Sequence, residues 1–158
     1  MKILILGDSH GRTRLMADVV KKHKANVACV LFLGDNAADV YDFAADFDRP
    51  IHAVAGNCDF DDEFPREITL DVGGKRIWMS HGDAYSVKYD YDTIEAAAIA
   101  RGADICLFGH THDPIVFGKN GILFVNPGSI SEPRGRRGKS YAVLEILGDK
   151  CLAKIIEI

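Results

Sequence analysis

The sequence of 158 residues lacks the features of several large protein classes. It has only four cysteines, Cys29, Cys58, Cys106 and Cys151, and their spacing forms neither a CxxC pair nor a disulfide framework. No apolar run approaches the roughly 20 residues that span a bilayer, and the opening segment "MKILILGDSHG" lacks the layout of a signal peptide. These absences predict a cytoplasmic protein with reduced thiols and no membrane association.

The sequence also lacks a strong excess of charge of one sign. Its formal net charge of −4 does not indicate nucleic acid or an anionic membrane as a partner held by bulk charge, although a local basic patch stays open. Apolar residues make up 47% and charged residues 27%, which is typical of a globular protein. The length predicts one domain over residues 1–158.

Short apolar runs that end near a glycine recur along the chain. They are rich in Val, Ile and Leu, which is typical of strands buried on both faces. The six runs cover residues 2–7, 27–34, 51–56, 76–82, 105–109 and 122–128.

Two amphipathic segments lie between these runs. Residues 13–23 place Leu15, Met16, Val19 and Val20 on one helical stripe. The second segment begins at Asp92 as an expected N-cap, has Glu95 three residues later, and ends at Gly102. Both segments predict helices that cover the strands.

Turn signals in the second half of the chain predict three β-hairpins. The turns are expected at Gly73-Gly74, Asn120-Gly121 and Gly148-Asp149. Strand–helix–strand units followed by hairpins predict an α/β protein with mixed sheets, arranged in layers.

Residues of the types that bind metals follow five of the predicted strands. The carboxyl ends of strands in open α/β sheets meet at one edge, so we expect these side chains to converge there. The candidates are Asp8, His10, Asp35, Asn57, His81, His110 and His112. His23 and His52 are interpreted as ordinary surface or capping residues.

The histidines of "GHTH" are two residues apart. In an extended chain such residues point to the same side, so the loop after Gly109 is expected to aim the rings of His110 and His112 into one crevice. Thr111 is expected to turn away.

Seven candidate ligands are too many for one small cation. Two divalent ions joined by a bridging carboxylate would use them, and such pairs promote displacement at phosphorus. Imidazole and carboxylate ligands suit Mn²⁺, Ni²⁺, Fe, Zn²⁺ or Co²⁺, and we expect Mn²⁺ first among them. The sequence therefore predicts a metal-dependent hydrolase.

Five short blocks, in order, resemble the motifs of the calcineurin-like metallophosphoesterase family. They read "GDSHG" (7–11), "GDN" (34–36), "GNCD" (56–59), "SHGD" (80–83) and "GHTH" (109–112). "NPGS" (126–129) extends the similarity toward the small bacterial and archaeal phosphodiesterases, which resemble the retromer subunit Vps29 in fold. The resemblance implies a four-layer α/β/β/α sandwich with two mixed β-sheets.

The resemblance also implies a role for each candidate. One metal would be held by Asp8, His10, Asp35 and His112, and the second by Asp35, Asn57, His81 and His110. Asp35 would bridge the metals, a hydroxide between them would be the nucleophile, and Asn57 and His81 would complete the phosphate site. The implied activity is hydrolysis of a small phosphodiester. Alternatives are a phosphomonoesterase with the same metals and a non-catalytic scaffold like Vps29. Related small enzymes suggest a homodimer or homotetramer.

Two features depart from the family pattern or leave it open. Many members carry a histidine after "GN" that is thought to protonate the leaving group, whereas Cys58 stands there in this sequence. A thiol is a poor replacement, which predicts a preference for esters with good leaving groups, while plain packing is the alternative. The loop 131–140 carries Arg134, Arg136, Arg137 and Lys139, which would either contact an anionic substrate or form a solvated basic loop.

Overall fold

A computed structural model describes residues 1–60 and 62–158. Its first sheet has five strands in the order β10-β9-β1-β2-β3. Strands β1, β2 and β3 are parallel, and β9 pairs antiparallel with both β1 and β10. The strands are β1 (Lys2–Leu6), β2 (Val30–Phe32), β3 (Ile51–Ala53), β9 (Ser140–Leu147) and β10 (Lys150–Glu157).

The second sheet also has five strands, in the order β4-β5-β6-β8-β7. Here β5, β6 and β8 are parallel, and the outer strands β4 and β7 are antiparallel to their neighbours. The strands are β4 (Glu67–Val72), β5 (Lys75–Ser80), β6 (Ile105–Leu107), β7 (Ile115–Lys119) and β8 (Ile122–Asn126). Both sheets are mixed, as the sequence predicts.

Three hydrophobic clusters define the layers. One joins the first sheet to the helices α1 (Thr13–His23) and α2 (Tyr41–Ala44), with Phe32 and Phe43 in its centre. A second lies between the two sheets, and a third joins the second sheet to α3 (Asp92–Ala100). The order helix, sheet, sheet, helix confirms the four-layer α/β/β/α sandwich.

The three predicted hairpins are confirmed. β4 and β5 meet at Gly73-Gly74, β7 and β8 at Asn120-Gly121, and β9 and β10 at Gly148-Asp149. Both residues of the first two turns have positive φ, as a two-residue hairpin turn of type I′ requires.

Other details differ from the predictions. Strands β2, β3 and β6 end before the apolar runs that predicted them. The next residues, Leu33, Val54 and Phe108, are still buried but lie outside the strands, so burial extends the apolar run past the last paired residue. Asp92 is not the N-cap of α3, since Tyr91 occupies that position. Glu95 accepts a hydrogen bond from Asn120 instead of reaching back to the helix end.

The segment after Asp35 was not predicted to be helical. It forms a 3₁₀ turn at Ala37–Val40 that continues into α2, and a second 3₁₀ turn covers Asp83–Tyr85. The first helical segment is too short to show a clear apolar period. Among the described residues, no helix has the length and apolar character needed to cross a membrane.

Candidate metal centre

The predicted ligands converge where the carboxyl ends of the two sheets meet. Their coordinating atoms form two groups, and within each group all atoms lie within 4.8 Å of one another. The first group is Asp8, His10, Asp35 and His112, and the second is Asp35, His81 and His110. Asp35 belongs to both groups, as the implied bridging role requires.

Unusual backbone conformations present these side chains. Eight non-glycine residues of the described chain have positive φ, and five of them are candidate ligands: Asp8, His10, Asp35, His110 and His112. Positive φ is uncommon for residues with a side chain, and such conformations cluster at functional sites.

This finding corrects the expected geometry of "GHTH". His110 and His112 have φ of 66° and 58°, so left-handed turns, not an extended chain, bring their rings to the site. Thr111 does turn away, because its Oγ1 accepts a hydrogen bond of 2.9 Å from Asn126 Nδ2.

Asp35 is the most heavily contacted of these side chains. Its Oδ1 accepts a 2.9 Å hydrogen bond from the Cys58 backbone N–H and lies 3.4 Å from His81 Nε2, and its Oδ2 lies 3.8 Å from His10 Nε2. Burial alone would raise the pKa of Asp35, but the bonds and charge of His81 and the Cys58 N–H hold it well below its usual range. The carboxyl is therefore ionised and ready to bind cations.

Backbone carbonyls orient two of the buried imidazoles. Nδ1 of His81 lies 2.6 Å from Leu33 O, and Nδ1 of His112 lies 2.6 Å from Glu132 O. Because a carbonyl oxygen only accepts, Nδ1 must be the donor in both pairs. The Nε2 atoms then face the site, and this kind of support is typical of histidine ligands.

Ring nitrogens face one another at short range in both groups. His10 Nε2 lies 3.2 Å from His112 Nε2, and His81 Nε2 lies 3.2 Å from His110 Nδ1. Burial lowers the pKa of His81, but the carboxylates of Asp35 and Asp8 raise it to about 9. Burial and the charge of His81 lower the pKa of His110 to about 4.

Asp8 shows that the group fits a cation. Its side chain is fully buried, and neither carboxylate oxygen has a hydrogen-bond partner among the described residues, although His112 Nε2 lies 3.1 Å from Oδ1. A buried carboxylate without partners is costly unless a cation balances it. Carboxylate and imidazole together are a donor set for first-row divalent metals.

Asn57 lies at the mouth of the centre. Its side chain is exposed, its Nδ2 lies 3.5 Å from Cys58 Sγ, and it lines a cavity together with His81. The structure therefore brings Asn57 beside the second group without burying it.

Several supporting residues were given no role by sequence reasoning. Ser129 and Ser131 donate hydrogen bonds to the Asp8 carbonyl, and Asn126 Nδ2 donates to Gly109 O. Asp59 accepts hydrogen bonds from the backbone N–H groups of Gly56 and Ala37. Asn126 and Ser129 lie in "NPGS" and Asp59 in "GNCD", which was the available signal, whereas Ser131 lies outside both blocks.

Two open features of the sequence are now placed. Cys58 is half-buried beside Asp35, and burial together with the charge of Asp35 raises the pKa of its thiol. The basic loop is exposed, and the Arg134 N–H donates to His112 O at 3.2 Å. None of the four cations of this loop forms an ion pair within the described part of the chain.

Comparison with protein families agrees with this geometry. Residues 1–149 match the model of the calcineurin-like phosphoesterase superfamily domain. The chain belongs to this superfamily. Its candidate metal centre is therefore that of a calcineurin-like phosphoesterase, a family whose members use divalent metals.

Named relatives of this phosphoesterase cover almost the whole chain. The probable metallophosphoesterase YsnB of Bacillus subtilis is 34% identical over 157 residues, which are 99% of this chain and 91% of YsnB. The phosphodiesterase YfcE of Escherichia coli is 25% identical over 170 aligned positions, covering 92% of this chain and 88% of YfcE.

Solved structures share the fold. A conserved protein of Streptococcus pneumoniae, described as a predicted phosphoesterase, has a TM-score of 0.85 at 29% identity and covers 99% of this chain and 88% of its own. Vps29 of Entamoeba histolytica in complex with Zn²⁺ has a TM-score of 0.79 at 21% identity, with 99% and 98% covered. The Vps29 similarity concerns the fold alone.

Proposed function

We propose that this protein is a phosphodiesterase that works with two divalent metal ions. The observation that carries the proposal is Asp35, whose ionised carboxylate belongs to both groups of candidate ligands. A carboxylate shared by two metals is the feature that holds paired ions at the spacing used for displacement at phosphorus. The phosphodiesterase name of the relative YfcE gives further support for a diester substrate.

Each candidate ligand then has a defined task. Asp8, His10 and His112 would hold one ion, His81, His110 and Asn57 the other, and Asp35 both. The ions, when bound, supply an activated water and positive charge at the phosphate. Leu33 O and Glu132 O accept from Nδ1 of His81 and His112 and so keep the Nε2 atom of each ring turned toward the ion positions.

The first test is metal dependence. We expect purified protein stripped with EDTA to hydrolyse bis-p-nitrophenyl phosphate poorly, and restored Mn²⁺ to raise the rate strongly, because the ligands alone offer no nucleophile. Metal analysis should then find two ions per chain. Ni²⁺, Co²⁺, Zn²⁺ and Fe²⁺ are restored in parallel to rank the metals.

The same assay separates the alternatives. Higher kcat/KM for p-nitrophenyl phosphate than for the diester would identify a phosphomonoesterase instead. Full activity of the metal-free protein would refute the proposal. A metal-loaded protein inactive on every ester would favour the scaffold alternative, against which the complete set of candidate ligands argues.

Cys58 gives a second prediction, about leaving groups. Its thiol, with a raised pKa, donates a proton less readily than an imidazole, so alkyl diesters should be poor substrates beside aryl diesters. We expect Cys58→His to increase kcat on alkyl diesters more than on aryl diesters, by about tenfold or more. Cys58→Ser is the matched control. An unchanged alkyl-to-aryl ratio in Cys58→His would mean that Cys58 only packs beneath the site.

A further inference from the structure

A cavity of about 470 Å³ opens beside the second group of ligands. Asn57 and His81 are among its lining residues, so the cavity adjoins the second group of candidate ligands. Its size lies within the range of small-molecule sites. The remaining lining residues are Asp59, Phe60, Arg66, Glu67, Ser80, Gly82, Asp83, Ala84 and Tyr85.

Two aromatic side chains give the cavity flat apolar surfaces. Phe60 is 94% exposed, which is rare for a phenylalanine without a partner to cover it. Tyr85 is fixed in place, because its ring packs edge-on against Trp78 and its hydroxyl donates to Glu67 and accepts from Arg101 Nη2. An exposed aromatic ring and a second ring held in a fixed position are together suited to binding a planar group.

The charged side chains of the lining differ in how far they are paired. Glu67 is paired with Arg101 Nη2 at 2.7 Å, and Arg66 donates hydrogen bonds to two backbone carbonyls. Asp83 has no ion-pair partner within the described part of the chain. A second anionic group of a substrate placed near Asp83 would therefore meet an unpaired carboxylate, whereas a neutral group would not.

We propose that this cavity binds the organic part of the substrate, and that this part is an uncharged aromatic group. This inference rests on the proposed function and names its substrate class: a diester of phosphate with at least one neutral aryl or heteroaryl alcohol. Phe60 and Tyr85 hold the ring, and the unpaired carboxylate of Asp83 disfavours substrates with a further anionic group at this position.

The test begins with binding, which needs no turnover. p-Nitrobenzyl alcohol and its anionic analogue 4-(hydroxymethyl)benzoate, in which a carboxylate replaces the nitro group, are titrated into isotope-labelled protein, and amide shifts are followed by NMR. We expect saturable shifts at Gly82 and Ala84 with the alcohol and about tenfold weaker binding of the anion. Phe60→Ala should weaken alcohol binding about fivefold to tenfold, the effect of one lost aromatic contact. Tyr89→Ala, which removes an 89% exposed aromatic outside the lining, is the matched control.

Kinetics then connect the cavity to the reaction. With restored metal, Phe60→Ala should raise KM for bis-p-nitrophenyl phosphate by a similar factor, with little change for dimethyl phosphate. Absent or scattered shifts, equal binding of alcohol and anion, or equal effects of Phe60→Ala and Tyr89→Ala would overturn the inference. If the alcohol binds as expected but the metal-loaded protein hydrolyses no ester, the proposed function has failed and the substrate assignment falls with it.

Discussion

Asp35→Asn is expected to reduce metal-dependent phosphodiester hydrolysis by about 10²–10³-fold or more, the scale on which loss of one electrostatic contact at a reacting centre acts. The substitution keeps the size of the side chain and its acceptor for the Cys58 N–H, but removes the negative charge that both ligand groups share. Initial rates with bis-p-nitrophenyl phosphate measure the loss.

Metal binding shows whether the loss arises as proposed. Calorimetric titration with Mn²⁺ should find weaker binding at both positions in Asp35→Asn, because each group loses its common ligand. Asp42→Asn, an exposed carboxylate on α2, is the control for removal of one negative charge. Two ions bound at wild-type affinity, together with wild-type rates, would mean that Asp35 does not link the two groups.

Much of this site can be predicted from the sequence for a simple reason. Parallel strands of one sheet bring their carboxyl ends to one edge, so Asp8 and Asp35, which follow β1 and β2 of the first sheet, lie close together. Apolar runs locate those strands, and paired turn glycines locate the hairpins. His81 follows β5 of the second sheet, so its approach to Asp8 and Asp35 depends on how the two sheets stack, which the pattern of strands does not give.

The local geometry could not be predicted in the same way. Extended and left-handed conformations at His110 and His112 leave the same sequence pattern, and the choice depends on contacts made by distant residues such as Asn126 and Glu132. The predicted N-cap of α3 was wrong for a related reason. Glu95 accepts a hydrogen bond from Asn120, which lies 25 positions away, and this tertiary contact replaces the local capping bond.

Gly56 is a second position where a small change should have a large effect. A Cβ at this residue would overlap the carboxylate and the backbone N of Asp35 and lie 2.9 Å from His81 Nδ1. Because one of these obstacles is backbone, a side-chain rotation cannot remove the conflict. We expect Gly56→Ala to displace Asp35 and His81 together and to abolish measurable hydrolysis.

Stability and metal affinity separate the causes of that loss. Overpacking of this kind costs about 1–3 kcal/mol of the free energy of unfolding, which chemical denaturation of the metal-free protein will measure. Gly118→Ala is the matched control, since a Cβ there meets nothing within 4 Å and its stability should change by less than about 0.5 kcal/mol. A folded Gly56→Ala protein that binds two ions as the wild type does would show that Asp35 and His81 need not be held this close. If Gly56→Ala folds but binds metal weakly, the close contact between Gly56 and Asp35 is what fixes the shared carboxylate. Glycine is then required at this position because there is no space for a Cβ, and not because of its φ.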